Sequence, residues 1–138
     1  MANAIYPLFK QEILKGTANN LLNSAEGATG VFCALVDTGL YTYSAAHQFY
    51  SSLTGIVGTD QEILTKTQVN GTFDGTDLTY TAVTGNSVEA LVLYRKNAGA
   101  NTTWPLIAYI DTGVTGLPVT PNGGNITVTW NASGIFTI

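Results

Sequence analysis

The chain has 138 residues, of which 45% are hydrophobic and only 10% charged, with a net charge of −4. Its five basic residues, Lys10, Lys15, Lys66, Arg95 and Lys96, cannot build the patch that neutralises nucleic-acid phosphates. No apolar stretch approaches the ~18 residues that a membrane span requires.

A single domain, 1–138, is expected. A chain of this size buries roughly two thirds of its unfolded surface, enough for a core without metal or disulfide. A surface rich in Thr, Asn, Ser and Gly loses little desolvation energy when a partner covers it. The start, MANAIYPLFK, lacks the pattern of a signal peptide, so cytoplasmic synthesis is expected. The Asn-x-Thr/Ser triplets at Asn70, Asn101, Asn125 and Asn131 are then not read as glycosylation sites.

In chain order, residues 1–16 form an N-terminal helical segment. Asn3 is placed to cap it, Pro7 suits its first turn, and Gly16 its C-terminal stop. Ile5, Phe9 and Ile13, with Tyr6 and Leu8, make an apolar stripe. About ten residues of helix are unstable alone, so the segment must dock on a sheet or a neighbouring subunit. Residues 17–30 are polar, with Leu21 and Leu22 as their apolar anchors. VFCALV (Val31–Val36) is apolar on both faces and reads as a central strand. Its Cys33 reads as a buried, inert thiol.

SAAHQFYSSL (Ser44–Leu53) reads as a short helix capped by Ser44. Glu62–Val69 reads as a strand, Asn70-Gly71 as a hairpin turn and Asp74-Gly75 as a second turn. Short β-branched or aromatic runs follow: LTYTAV (Leu78–Val83), VEALVLY (Val88–Tyr94), LIAYI (Leu106–Ile110), ITVTW (Ile126–Trp130) and IFTI (Ile135–Ile138). In ITVTW, Ile126, Val128 and Trp130 point inward and Thr127 and Thr129 outward. Arg95–Lys96 reads as a solvated hairpin tip. The fold class is mainly β: an antiparallel β-sandwich or small barrel with one short N-terminal helix.

Reactive chemistry is sparse. Asp37-Thr38-Gly39 and Asp111-Thr112-Gly113 each follow an apolar strand, as in aspartic peptidases, where two carboxylates share a proton. Asp-x-Gly after a strand is also ordinary turn chemistry, with Asp bonding its own backbone. The copies lie too close in sequence for two full lobes, so the turn reading is preferred. His47 is the only imidazole, and neither Ser44 nor Ser51 sits in a nucleophile elbow beside it. One His and one Cys cannot ligate zinc. Asp74 and Asp77 could offer two oxygens to calcium but lack the rest of a ligand loop. No phosphate-binding glycine loop is present. No catalytic, cofactor-binding or metal residue is assigned, and no cofactor is expected. Tyr41, Tyr43, Phe49 and Tyr50 could form a sugar platform, but core or interface use is preferred.

Four segments carry a resemblance: MANAIYPLFKQEILKG, ALVDTGLYTYSAAHQFYSSL, NGTFDGTDLTYTAVTGNSVEALVLY and LIAYIDTGVTGLPVTPNGGNITVTW. They resemble small virion proteins of tailed bacteriophages, of the capsid decoration (cement) type. The resemblance implies a non-enzymatic protein made in the bacterial host cytoplasm and located on the capsid surface. It would bind the major capsid protein and copies of itself, with trimers matching threefold lattice positions, and neither nucleic acid nor membrane. Met1–Lys15 and Tyr41–Tyr50 are expected to contact neighbours. A neck- or tail-associated or host-glycan-binding virion protein is the alternative, and an aspartic peptidase using Asp37 and Asp111 the remote one.

Overall fold

The computed structural model describes residues 3–17, 26–27 and 29–138. Leu21 and Leu22, the expected anchors, lie outside them. The described residues form ten strands and one short α-helix, with every strand pairing antiparallel. The arrangement is a layered, sandwich-like β fold. Its sheets stay open, so the expected alternative of a small barrel is not realised.

The main sheet has five strands: β1 (Ala4–Ile5), β8 (Leu106–Ile110), β7 (Ala90–Lys96), β2 (Gly30–Val36) and β3 (Ile56–Glu62), in that spatial order. VFCALV is central, as its two apolar faces require: every residue from Val31 to Val36 except Phe32 is buried. A second, three-stranded sheet holds β10 (Phe136–Thr137), β5 (Thr72–Asp74) and β4 (Thr67–Val69). β6 (Leu78–Tyr80) and β9 (Ile126–Val128) pair with each other. The alternation expected of ITVTW is observed: Ile126, Val128 and Trp130 are buried while Thr127 and Thr129 are exposed.

Tyr80 ties this layer to the main sheet. The ladder between β2 and β3 is irregular between Cys33 and Leu35. There, the fully buried Tyr80 hydroxyl donates to the Cys33 carbonyl at 2.8 Å. Beside it the Cys33 thiol is also fully buried, and burial pushes its pKa up to about 12, in line with an inert thiol.

The N-terminal segment differs from the expected helix. Ala4–Ile5 are a strand on the edge of β8, and Tyr6 N–H extends that pairing to the Ile107 carbonyl. Only Pro7–Leu14 (α1) is helical, and Tyr6 occupies its N-cap position without a side-chain cap. Asn3 therefore caps nothing. Its amide instead bridges the turn after β8: Oδ1 accepts from Asp111 N–H (2.8 Å) and Thr112 N–H (3.0 Å), and Nδ2 donates to the Thr112 carbonyl. Gly16, with φ +72°, ends the helix as expected. Tyr6 and Phe9 are buried within the chain, so the segment docks on its own sheet.

Three other expectations are corrected. Ser44–Leu53 is not a helix. Ser44 Oγ accepts from Ala46 N–H in a tight turn, and only Tyr50–Ser52 form a single 3-10 turn. Phe49 bridges to Pro105 and Tyr50 N–H bonds the Trp104 carbonyl; these long-range contacts outweigh a marginal local helix. Glu62–Val69 is not one strand, because the chain turns at Thr65, whose φ is +51°. β3 ends at Glu62 and β4 begins at Thr67. Arg95 and Lys96 are not a hairpin tip: they continue β7, paired with Val31 and Gly30. Asn70-Gly71 is the expected hairpin, with φ of +51° and +79°.

Candidate functional site

The residues first suspected of chemistry are held in structural roles. β2 and β8 run in the same direction with β7 between them, so Asp37 and Asp111 leave the same end of the sheet two strand spacings apart, roughly 10 Å. Asp37 Oδ1 accepts from Gly39 N–H at 2.7 Å, closing its own turn. Thr38 turns away to Glu89, whose Oε2 accepts from its N–H and hydroxyl. Burial opposes ionisation of Glu89, but bonds from Ser87 and Thr38 outweigh it and hold its pKa below the ordinary value. Asp111 pairs with the Tyr109 hydroxyl. Carboxylates held by different partners across a strand do not form a proton-sharing dyad.

His47 Nδ1 bonds the Tyr41 hydroxyl at 2.8 Å, and that hydroxyl meets the Tyr6 hydroxyl at 2.8 Å. This chain lies among Tyr43 and Tyr109 and fastens the segment after β2 to the sheet. Asp77 Oδ1 accepts from Trp130 N–H, joining β9 to the turn before β6. Among the described residues, no three His, Cys, Asp or Glu side chains group closely enough to hold a metal.

The structure instead assembles an open cleft of about 470 Å³ that sequence reasoning did not anticipate. Alternation along β7 puts Tyr94 and Lys96 on one face, and the cross-strand partner of Tyr94 is Phe32. Their rings stack at 5.9 Å. Two loops close over this row. The Phe49–Pro105 bridge joins them, and Trp104 Nε1 donates to the Gly99 carbonyl, fixing the indole. Trp104 then lies nearly parallel to Tyr94, at 5.9 Å and 10°, while Tyr50 packs 4.4 Å from Tyr94. The Lys96 ammonium sits 5.3 Å from the Phe32 ring centre and 5.2 Å from that of Trp104.

Asp60, from β3, joins the lining of the cleft. Its Oδ2 accepts from the Tyr50 and Tyr94 hydroxyls, both at 2.8 Å. Its Oδ1 is buried without a hydrogen-bond partner. Burial raises the carboxyl's pKa above the ordinary value, against the Tyr94 and Tyr50 hydroxyls and the charge of Lys96. Burial and the Asp60 charge likewise push the Tyr94 and Tyr50 hydroxyls up. The cleft therefore combines ring faces and one ammonium, with the carboxylate enclosed behind the two tyrosine hydroxyls.

Of these residues only Tyr50 belonged to the aromatic run noted in the sequence. Its companions there serve otherwise: Tyr41 is buried, and Tyr43 packs on Tyr6 and Tyr109. Alternation in VLYRK could have paired Tyr94 with Lys96. Nothing local marks Asp60 or Trp104, which arrive through pairing and loop closure.

No protein-family model matches the chain, and a search of curated proteins returned no similar sequence.

Proposed function

We propose that this chain is a structural protein of a tailed-bacteriophage virion, a decoration protein that binds the major capsid protein and copies of itself on the capsid surface. The observation that carries this reading beyond the segment resemblance is a bare strand edge. β4, at the rim of the three-stranded sheet, pairs on one side only among the described residues. Its residues Thr67, Gln68 and Val69 are all exposed and uncharged. Edge strands that must stay solitary are protected by charge, proline or a bulge, and β4 carries none of these. At the hairpin end of this sheet Val69 is 61% exposed and Ile138 56% exposed. An uncharged edge with exposed Val69 and Ile138 beside it suits strand addition or packing against a partner.

Tyr6, Phe9 and Tyr41 are buried inside the chain, so the first fifteen residues and the aromatic run offer less contact surface than their composition suggests. Deleting residues 1–15 would remove core and unfold the protein, so the test uses surface substitutions. The protein and its Val69→Asp and Ile138→Asp variants are mixed with empty capsids assembled from the major capsid protein of the same phage and sedimented. The wild type is expected to co-sediment and the folded variants to stay in the supernatant. Immunogold labelling of whole virions is expected on the head. Absence from the pellet, or label confined to neck or tail, refutes the decoration reading.

A further inference from the structure

We infer that β4 is a self-pairing edge: two copies of this chain join antiparallel along Thr67–Val69 about a twofold axis at Gln68, fusing their three-stranded sheets into one. This rests on the proposed self-association and gives it a site and a symmetry. The backbone fixes which groups are free to pair. The Gly71 and Phe73 carbonyls accept from Ile138 and Ile135 N–H, so these alternate residues face β10. Thr72 and Asp74 then face β4, where their partners are Val69 and Thr67. The Asn70-Gly71 turn gives the same phase, because its turn bond joins the flanking residues, Val69 and Thr72. Gln68 is left with its N–H and C=O directed out of the sheet.

A second copy is the occupant that this edge fits. Across a twofold axis Gln68 meets Gln68 and exchanges both of its free groups, while Thr67 of each copy meets Val69 of the other. A charge at the axis would face its own like, and the edge has none: Thr67, Gln68 and Val69 are exposed and uncharged. The nearest charge along the strand, Lys66, is paired with Glu26 at 3.4 Å, its side chain only 4% exposed. It comes opposite the neutral Asn70 of the other copy. The β-branched Val69–Thr67 pairs, made twice by symmetry, cover the exposed Val69. The other rims serve less well. β1 and β10 offer two residues each, and β3 carries Asp60 and Glu62. A contact between β4 and one of those rims would also repeat into a filament, whereas the twofold contact closes with two copies. Three residues of edge cover less than the ~800 Å² per partner of a standard interface. Pairing is therefore weak between free chains and strengthened where copies are held side by side.

The test is oxidative cross-linking of the full chain carrying single cysteines, without capsids. Cys33 is fully buried, its thiol pushed up to about 12 by burial, and stays silent. Gln68→Cys places two thiols at the axis on Cα atoms ~5.5 Å apart, within disulfide range. A mixture of Thr67→Cys and Val69→Cys, one of them mass-tagged, places them directly opposite at ~4.5 Å. Either variant alone sets them on a diagonal of ~7–8 Å, too far to bridge. Gln68→Cys and the mixture should form covalent dimers about tenfold faster than Thr67→Cys alone, Val69→Cys alone, or Thr127→Cys, an exposed control on β9. Adding Gln68→Pro to both members of the mixture removes the outward N–H, a change an edge strand tolerates, and should abolish the mixed dimer. Amide spectra confirm that each variant is folded. Equal rates for all variants, or a mixed dimer that persists with folded Gln68→Pro, overturn the proposal. The expected pattern without co-sedimentation removes the decoration reading and keeps the twofold edge. Co-sedimentation without the pattern removes the twofold edge and leaves β4 to the capsid protein.

Discussion

Replacing Asn3 by Asp separates the two roles that this residue could play, because they predict opposite signs. As a helix cap, Asp would equal Asn and gain about 0.3–1 kcal/mol from the helix dipole. The observed role needs both ends of the amide. Oδ1 accepts from Asp111 and Thr112 N–H, and Nδ2 donates to the Thr112 carbonyl at 3.0 Å. Asp keeps the acceptor and loses the donor, worth about 1 kcal/mol, and it turns a negative oxygen toward that carbonyl. With the exposed position discounted for solvent screening, a net loss of about 1–2 kcal/mol is expected. The assay is urea unfolding of wild type, Asn3→Asp and Asn3→Ala at neutral pH. Both variants should unfold at lower urea with unchanged slope. An Asn3→Asp protein as stable as wild type, with Asn3→Ala weakened, would refute the bridging role and restore the cap.

Tyr80→Phe removes the hydroxyl that serves the Cys33 carbonyl, leaving a buried acceptor unpaired at a cost of about 1–3 kcal/mol. The urea midpoint should fall by about 1 M, and an unchanged midpoint would show that this bond does not join the layers. Asp60 gives a pH signature. Its folded pKa lies above the ordinary carboxylate value because of burial, so the folded state holds the proton more tightly than the unfolded chain. As pH falls through that raised pKa toward about 3.8, the Asp60 contribution to stability rises. Wild type should therefore gain on Asp60→Asn with falling pH. Glu12, Glu26 and Glu89, whose lowered pKa values act in the opposite sense, are common to both proteins and cancel in the difference. A flat or reversed difference contradicts the assignment.

The strands were legible where local pattern and final burial agree. VFCALV had to be central because both its faces are apolar, and Asn70-Gly71 had to turn because both residues accept a positive φ. ITVTW alternates because one face meets the core. Turn chemistry likewise accounts for Asp37-Thr38-Gly39, whose Asp37 Oδ1 accepts from the Gly39 N–H.

What failed locally was settled by distant partners. Ala4–Ile5 became a strand because β8 offered an open edge, and Asn3 then reached a turn more than a hundred residues away. Ser44–Leu53 lost its helix because Phe49 and Tyr50 pair with the segment before β8. The cleft follows the same logic. Composition and alternation determined a charge-poor, mainly β protein, since periodicity is a property of neighbouring residues. Only the tertiary structure brought Asp60, Trp104 and Phe32 to one place. Strand register and loop closure act over distances that no local pattern encodes.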